Sequence, residues 1–384
     1  MSDHDPSGPG RRQVRRILLD AVRGDREGGT ADVEGLDLAL LGESAREHRI
    51  RPAVHRYLAA TAEIPSVTAA ARRQSMRHLL LLAGLREVGG HLDDAGVRWA
   101  VGKGPVAAGH LWPSAAMREY TDLDLYIAPQ DFPTAVEALL DSGCVLVDRN
   151  WPALLRSGRG ELAMRAPRGQ MLDLHWSVAV RPELRRAFRI DLDAMLAARR
   201  TVEIGGIDVP TFDPVDGALL LAFHACQEGA NRLLWLGDVW HAAREPGFDW
   251  SELEDRARSF DVYAPVMQVC ARVDRVLGLG EHGRRAVQGL TGFWPWIVRQ
   301  RERRLPGVLL PGDRHGDGRL IAATRNGPLS SLAVAVGSGL EVRRIQRRVA
   351  RNGPEGNVLD LDVPDDDARS AYLELAARGA VRRP

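Results

Sequence analysis

Two aspartates separated by one leucine, Asp122 and Asp124, lie in residues 121–127, where apolar and polar residues alternate as in a strand. On a strand both carboxylates point to one face, roughly 7 Å apart at their Cα atoms, while Leu123 and Leu125 point to the other. Because like charges this close repel each other, the pair indicates a cation between them. Magnesium, which binds one or two carboxylates together with substrate phosphates, suits this geometry.

A third carboxylate, Asp173, stands in a second alternating run that also contains His175. Residues 161–166 precede this run, and the turn-forming residues 167–170 separate the two, so a hairpin is predicted. The hairpin could bring Asp173 beside the first two aspartates across a sheet. Three acids that hold two metal ions form the apparatus for an in-line displacement at phosphorus.

The only lysine of the chain, Lys103, lies between Gly102 and Gly104, whereas 51 of the 52 basic residues are arginines. Residues 97–101 before it have strand character, and Pro105 after it suits the first turn of a helix. A compact ammonium is retained where the planar guanidinium fork would not serve. Bare glycines and the N–H groups of a helix start favour an anion, so this turn is predicted to bind phosphate.

This arrangement resembles the uncharacterised nucleotidyltransferase family of the DNA polymerase beta superfamily, over roughly residues 75–245. The motifs that carry the resemblance are Gly102-Lys103-Gly104, Arg118, Asp122-Leu-Asp124 and Asp173-Leu-His175-Trp176. In the superfamily a Gly-Ser turn usually precedes the Asp-x-Asp strand, and here Gly-Lys-Gly replaces it. The triplets Asp191-Leu-Asp193 and Asp360-Leu-Asp362 have no glycine turn before them, so only the first triplet has the full context.

The resemblance implies a metal-dependent enzyme that moves a nucleoside monophosphate from a nucleoside triphosphate (NTP) to an acceptor. Members of the family occur beside peptide pathways, lasso peptides among them, which implies a hydroxyl or phosphate of a peptide or small molecule as acceptor. The residues with implied roles are Asp122, Asp124 and Asp173 as catalytic ligands of Mg²⁺, and Gly102, Lys103, Gly104 and Arg118 as contacts to the nucleotide. A similar His and Asp are implied at His224 and Asp238, for which hydrogen bonding between helices is favoured over metal binding with Glu228.

Two other interpretations remain open. Residues Gly102 to Ala107 fit the G-x-G-x-x-G/A dinucleotide fingerprint, although Pro105 removes an amide that a pyrophosphate would contact. The chain could also be a non-catalytic binding module with a nucleotidyltransferase-like fold. Retention of all three acids disfavours the second interpretation.

The composition limits the partners. A net charge of +1 provides no overall field to attract long nucleic acid. Three cysteines far apart, with no CxxC, predict neither a disulfide framework nor a zinc site, and favour the cytoplasm. No apolar run is long enough to cross a membrane. Residues 328–340 carry no charge and precede several arginines; a buried helix is favoured there over contact with a membrane surface.

Helical spacing dominates both ends of the chain, and strands are predicted mainly in the middle. The predicted class is α+β, a small mixed-sheet nucleotidyltransferase core flanked by N-terminal and C-terminal helical lobes. The predicted segments are a disordered tail (1–10), an N-terminal helical lobe (11–95), the α/β core (96–180), a C-terminal helical lobe (181–305), and a linker, short helix and loose tail (306–384).

Overall fold

A mixed β-sheet forms the centre of the computed structural model, which describes residues 8–24, 33–58, 61–313, 318–337 and 357–379. The strands in this part of the chain are β1 (Trp99–Val101), β2 (Asp122–Ile127), β3 (Val145–Leu146), β4 (Glu161–Arg165), β5 (Met171–His175), β6 (Arg200–Ile204) and β7 (Ile207–Thr211). Their order across the sheet is β3-β4-β5-β2-β1-β7-β6. β2 runs parallel to β5 and antiparallel to β1, and β1 runs parallel to β7.

Helices precede, flank and follow the sheet. They are α1 (Pro9–Arg23), α2 (Leu38–Glu47), α3 (Arg51–Leu58), α4 (Pro65–Asp94), α5 (Phe132–Asp141), α6 (Trp151–Ser157), α7 (Pro182–Ala187), α8 (Leu192–Ala197), α9 (Pro214–Gln227), α10 (Leu233–Ala242), α11 (Trp250–Ser259), α12 (Tyr263–Leu277), α13 (Gly280–Gln288), α14 (Phe293–Glu302), α15 (Gly318–Ala322), the helical residues 328–337 and a C-terminal helix (Asp366–Ala377). A mixed sheet with separate helical lobes confirms the α+β prediction. None of the helices in the described ranges is long and apolar enough to cross a membrane.

The alternation of β2 places its two faces in different surroundings, as predicted. Leu123, Leu125 and Ile127 pack into the apolar core shared by α4, α5, α6 and the C-terminal helix. Tyr126 packs into the other core, which the N-terminal lobe and helices α9 to α12 build. The face that carries Asp122 and Asp124 therefore looks toward the C-terminal helical lobe.

The predicted core, residues 96–180, is too short for the sheet. β6 and β7 form a hairpin around Gly205 and Gly206, and Val101 of β1 pairs with Thr211 of β7. Residues 200–211 had been assigned to the C-terminal helical lobe. The hairpin extends the sheet beyond β1, so that β7 pairs with β1 and β6 becomes the edge strand.

The prediction of a loose C-terminal tail is also wrong for residues 366–377. In the C-terminal helix, Ala368, Tyr372 and Ala376 are spaced four apart and form one buried face. The Tyr372 hydroxyl accepts a hydrogen bond from Trp176 Nε1 at 3.2 Å and lies 2.9 Å from the carbonyl of Arg159. The helix thus packs against α5 and α6, and its Tyr372 side chain reaches the start of β4 and the residue after β5.

Two further predictions concern the ends of the described ranges. Residues 328–337 are helical, but Leu329 is 80% exposed and Leu332 is 49% exposed, so this helix is not buried as predicted. The basic residues that follow, and residues 338–340, lie outside the described residues. So does most of the predicted N-terminal tail, while α1 already begins at Pro9.

Candidate active site

The three predicted acids face one cavity of about 690 Å³ between the sheet and helices α9 and α10. The register pairs Asp124 of β2 with Asp173 of β5, and Asp122 lies two residues earlier on β2. Glu161 of β4 lines the same surface. We call this surface, formed by Asp122, Asp124, Glu161, Asp173 and His175, the sheet wall. The strand pairing therefore brings together the acids that the sequence placed on separate runs.

Asp124 is the most strongly paired acid of the sheet wall. Its Oδ1 atom lies 2.8 Å from Lys103 Nζ and 3.0 Å from His175 Nε2. Burial alone would raise the pKa of this carboxyl, but the Lys103 ammonium and the His175 imidazole hold it well below its ordinary value. Asp124 therefore stays ionised. The Lys103 ammonium is thus an ion-pair partner of Asp124 and is not shared with Asp122.

Asp122 and Asp173 are neighbours of this pair that form no ion pair with any described residue. Burial and the charges of Asp124 and Glu161 raise the pKa of Asp173 to about 7. Burial and Asp124 also raise the pKa of Asp122. Both shifts express the same cost, which is that negative charge accumulates here without enough positive charge to balance it.

The donor set of the sheet wall fits a divalent metal ion. Carboxylate oxygens are the ligands that magnesium prefers, and two of these carboxylates lack a cation partner. No three Asp, Glu, His or Cys side chains of the described ranges are already arranged around one ion position. Lys103 and His175 both lie within ion-pair distance of the Oδ1 atom of Asp124.

The glycine turn around Lys103 is explained first by packing. A Cβ atom on Gly102 would lie 2.4 Å from Leu220 Cδ2 and 2.6 Å from Tyr126 Cε2, so a larger residue does not fit. Gly104 has φ +52°, and a Cβ there would lie 3.2 Å from the carbonyl oxygen of Asp122. Lys103 and Gly104 line the cavity, whereas Gly102 lies behind them. The turn aims the ammonium at the carboxylates.

Arg118 also lines the cavity, but most of its guanidinium is already paired. Its Nε and Nη2 atoms donate to the two carboxylate oxygens of Asp238 at 2.7 and 2.8 Å, and both side chains are buried. Trp112 Nε1 donates to the same carboxylate at 2.8 Å. The third nitrogen, Nη1, lies 3.5 Å from the carbonyl of Gly104. Arg118 thus ties the glycine turn to α10, and one N–H of Nη1 and one of Nη2 remain for a further acceptor.

Asp238 therefore bonds to Arg118 and Trp112, not to His224. His224 instead lines the cavity with its ring edge toward Trp235, at a centroid distance of 6.2 Å. Burial, followed by the charge of Lys103, lowers the pKa of His224 well below its ordinary value. The imidazole is neutral at pH 7, and the hydrogen bonding between helices favoured for His224 is not found among the described residues.

His175 lies between two acids of the sheet wall, Asp124 and Glu161. Its Nδ1 lies 3.3 Å from Glu161 Oε2, and its ring stacks on Tyr126 at a centroid distance of 4.7 Å. Hydrogen bonding to Asp124 and the charge of Glu161 outweigh burial and raise the pKa of His175. Sequence reasoning missed Glu161, although the predicted hairpin places it opposite His175.

On the opposite side of the cavity, sequence reasoning named His224 and Glu228 but missed Arg49, Arg232 and Trp235. We call this side, formed by these five residues, the helical wall. Arg49 follows the C-terminal end of α2, and Arg232 is the N-cap residue of α10. Neither belongs to a sequence motif that indicates catalysis or binding. Their positions depend on how the lobes pack.

Comparison with known proteins gives one result that bears on this site. No curated protein matches the chain at a significant level. A family model described as an uncharacterised nucleotidyltransferase matches residues 35–278, which include both walls of the cavity. The match spans more than half of the chain, and the chain belongs to this uncharacterised nucleotidyltransferase family.

Proposed function

We propose that this protein transfers a nucleoside monophosphate from an NTP to a hydroxyl or phosphate of a small molecule or peptide, with Mg²⁺ held by Asp122, Asp124 and Asp173. The family supports nucleotidyl transfer in general. The proposed metal site rests on one observation: the carboxylates of Asp122 and Asp173 have no cation partner and lie beside the ionised Asp124.

The proposed transfer forms one P–O bond and breaks another. An acceptor oxygen attacks the α-phosphorus, a new P–O bond forms, and the bond to the β-phosphate oxygen breaks, which releases pyrophosphate. When the acceptor is a hydroxyl, its proton is lost to a base. The metal supplies charge neutralisation and polarisation of the phosphate oxygens when it is bound.

The side chains of the chain orient and balance this centre. His175, wedged between Glu161 and Asp124, fixes the carboxylate of Asp124 in one orientation. Lys103 keeps its ammonium at the same carboxylate, because Asp124 raises the lysine pKa against the effect of burial. With a metal bound at Asp124, the Lys103 ammonium would be available to bind a phosphate oxygen of the nucleotide.

The dinucleotide-binding alternative loses its structural support. A doubly wound fold needs parallel strands around the glycine turn, whereas β1 has only three residues and runs antiparallel to β2. The position of a Gly102 Cβ atom is filled by Leu220 and Tyr126, so the glycine serves packing. The non-catalytic alternative is addressed by experiment.

The test is incubation of the protein with each α-³²P-labelled NTP, magnesium and a cell extract, followed by separation by size. We expect label from one NTP to appear on a small molecule or peptide, and to be absent with Asp122→Asn. Asp362→Asn is the matched control, because Asp362 belongs to the other Asp-Leu-Asp triplet and its side chain is 68% exposed. NTP binding without label transfer from any NTP would support the non-catalytic module instead.

A further inference from the structure

The charges that line the cavity separate into paired and unpaired groups. Lys103 is paired with Asp124 and Arg118 with Asp238, so these cations are largely neutralised within the protein. Arg49 and Arg232 of the helical wall, by contrast, have no carboxylate within ion-pair distance among the described residues. The cavity is therefore bipolar, with uncompensated acids on the sheet wall and uncompensated arginines on the helical wall.

The backbone of Arg49 is in a conformation that a bulky residue rarely adopts. Its φ is +57°, in the left-handed region. The hydrogen bonds Arg49 N to Arg46 O (3.1 Å) and Ile50 N to Ala45 O (2.9 Å) form the helix-ending motif whose left-handed position is usually glycine. An arginine that replaces glycine there costs stability, and such strain concentrates at functional positions. The turn itself does not require an arginine at position 49, so we attribute the presence of Arg49 to a role of its side chain.

The neighbouring residue locks the two arginines together. His48 Nδ1 accepts a hydrogen bond from Leu233 N at 3.3 Å, and the His48 carbonyl accepts one from Leu234 N at 3.3 Å. These amides belong to the first turn of α10, directly after Arg232. Arg49 and Arg232 thus project from two chain segments, 48–49 and 232–234, that are hydrogen-bonded to each other.

Arg232 is also held in place by a ring. Its Cζ atom lies 4.9 Å from the ring centroid of Trp235, which lines the cavity. Burial and the nearby charge of Arg49 lower the pKa of Arg232, while Glu228 acts in the opposite direction. Two like charges are thus held near each other without an ion-paired acid, which an anionic ligand would relieve.

We propose that Arg49 and Arg232 bind the β- and γ-phosphates of the NTP, and so retain the pyrophosphate that leaves. This inference rests on the proposed function. If the α-phosphate of the NTP binds at the sheet wall, the β- and γ-phosphates need a second binding site, and we assign it to the helical wall. A planar guanidinium donates two parallel hydrogen bonds to phosphate oxygens, which suits a polyphosphate better than a single charge would.

The probe is inorganic pyrophosphate, titrated into the full chain by calorimetry with and without magnesium. We expect Arg49→Gln and Arg232→Gln each to weaken binding about tenfold, and the double variant to weaken it further. Arg244→Gln is the matched control. Arg244 lies over Trp240 at 3.5 Å, near the other end of α10 and away from the cavity, so its variant should bind as the wild type does.

Each outcome separates the two proposals. If the arginine variants lose pyrophosphate binding, the subsite is supported. If the wild type also transfers no label, the proposed transfer is contradicted while the subsite stands. If both arginine variants transfer label with an unchanged KM for NTP, the transfer is supported and the subsite is overturned. Wild-type pyrophosphate affinity in both variants, or no binding to the wild type, also overturns it. Thermal unfolding of every variant shows whether each is folded.

Discussion

On the sheet wall, charged side chains come from adjacent strands whose register is fixed by backbone hydrogen bonds, whereas on the helical wall they come from helix ends and turns. Asp124 and Asp173 face each other because β2 and β5 pair residue by residue. Arg49 and Arg232 are neighbours only because His48 bonds to the start of α10. Strand pairing provides the more rigid support, which suits groups that must hold reacting atoms within a fraction of an ångström.

The walls also differ in how their charges are balanced. The sheet wall contains both the strongly paired Asp124 and the unpaired Asp122 and Asp173. The helical wall has no comparable ion pair among the described residues of the cavity lining. We infer that the sheet wall is built around a metal and the helical wall around a substrate anion, and the following predictions test these differences.

The largest expected effect distinguishes Asp124 from Asp122. Asp124→Asn leaves the buried Lys103 ammonium without its carboxylate, so it should lower the free energy of unfolding by about 3–5 kcal/mol as well as abolish transfer. Asp122→Asn should abolish transfer without lowering stability, because it removes a charge that repels Asp124. Urea denaturation of both variants measures the difference. Equal destabilisation would contradict the assignment of Lys103 to Asp124.

The second prediction concerns the hydrogen bonds that hold the helical wall. Burial lowers the pKa of His48 from 6.5 to about 4. A histidine that is harder to protonate when folded contributes stability that is present above pH 6.5 and is lost as the pH falls through 4. The free energy of unfolding should therefore decrease by about 3 kcal/mol over this interval because of His48.

Denaturation at a series of pH values checks this prediction for His48. In His48→Gln this part of the pH dependence should disappear, whereas the exposed His91→Gln should keep the wild-type dependence. The same pH dependence in His48→Gln as in the wild type would show that another group carries it.

The third prediction tests whether the ammonium of Lys103 can be replaced. Lys103→Arg should lose at least tenfold in kcat/KM, about 1.4 kcal/mol, nearly as much as Lys103→Ala. A planar guanidinium would not reproduce the contact that the compact Lys103 ammonium makes with Asp124 Oδ1 at 2.8 Å in this buried site. Steady-state kinetics with the identified NTP measure the loss. An arginine variant that retained most of the activity would reduce Lys103 to a contribution of charge alone.

The smallest effect is expected behind the sheet wall. Tyr372→Phe removes the hydroxyl that bonds to Trp176 Nε1 and to the backbone carbonyls of Arg159 and Glu161. Its loss should cost about 1 kcal/mol of unfolding free energy and leave transfer almost unchanged. Chemical denaturation and the labelling assay check both parts. A large loss of activity would mean that the C-terminal helix positions the sheet wall.

The sequence was informative wherever chemistry follows a local period. Alternation alone placed Asp122 and Asp124 on one strand face, and the turn before β5 predicted the hairpin that carries Asp173. The solitary Lys103 marked a turn that lines the cavity. Its partner was not predictable, because the contact with Asp124 arises only when β1 and β2 lie side by side.

Contacts between distant segments were beyond local patterns. Arg118 and its partner Asp238 are 120 residues apart, and nothing in either neighbourhood indicates the other. Arg49 could have been noticed only by recognising that it stands at a helix end where glycine is usual. The C-terminal helix was missed because its apolar face consists of two small alanines and one tyrosine.

That helix has a consequence for the order in which the protein can be made. Trp176 and Tyr372 are 196 residues apart in sequence. At a synthesis rate of roughly 5–20 residues per second, the ribosome needs on the order of 10 to 40 s to pass from one to the other. Throughout this interval the surfaces of α5 and α6 that the C-terminal helix covers are exposed on the nascent chain. The packing around Trp176 is thus completed only after translation has passed residue 372.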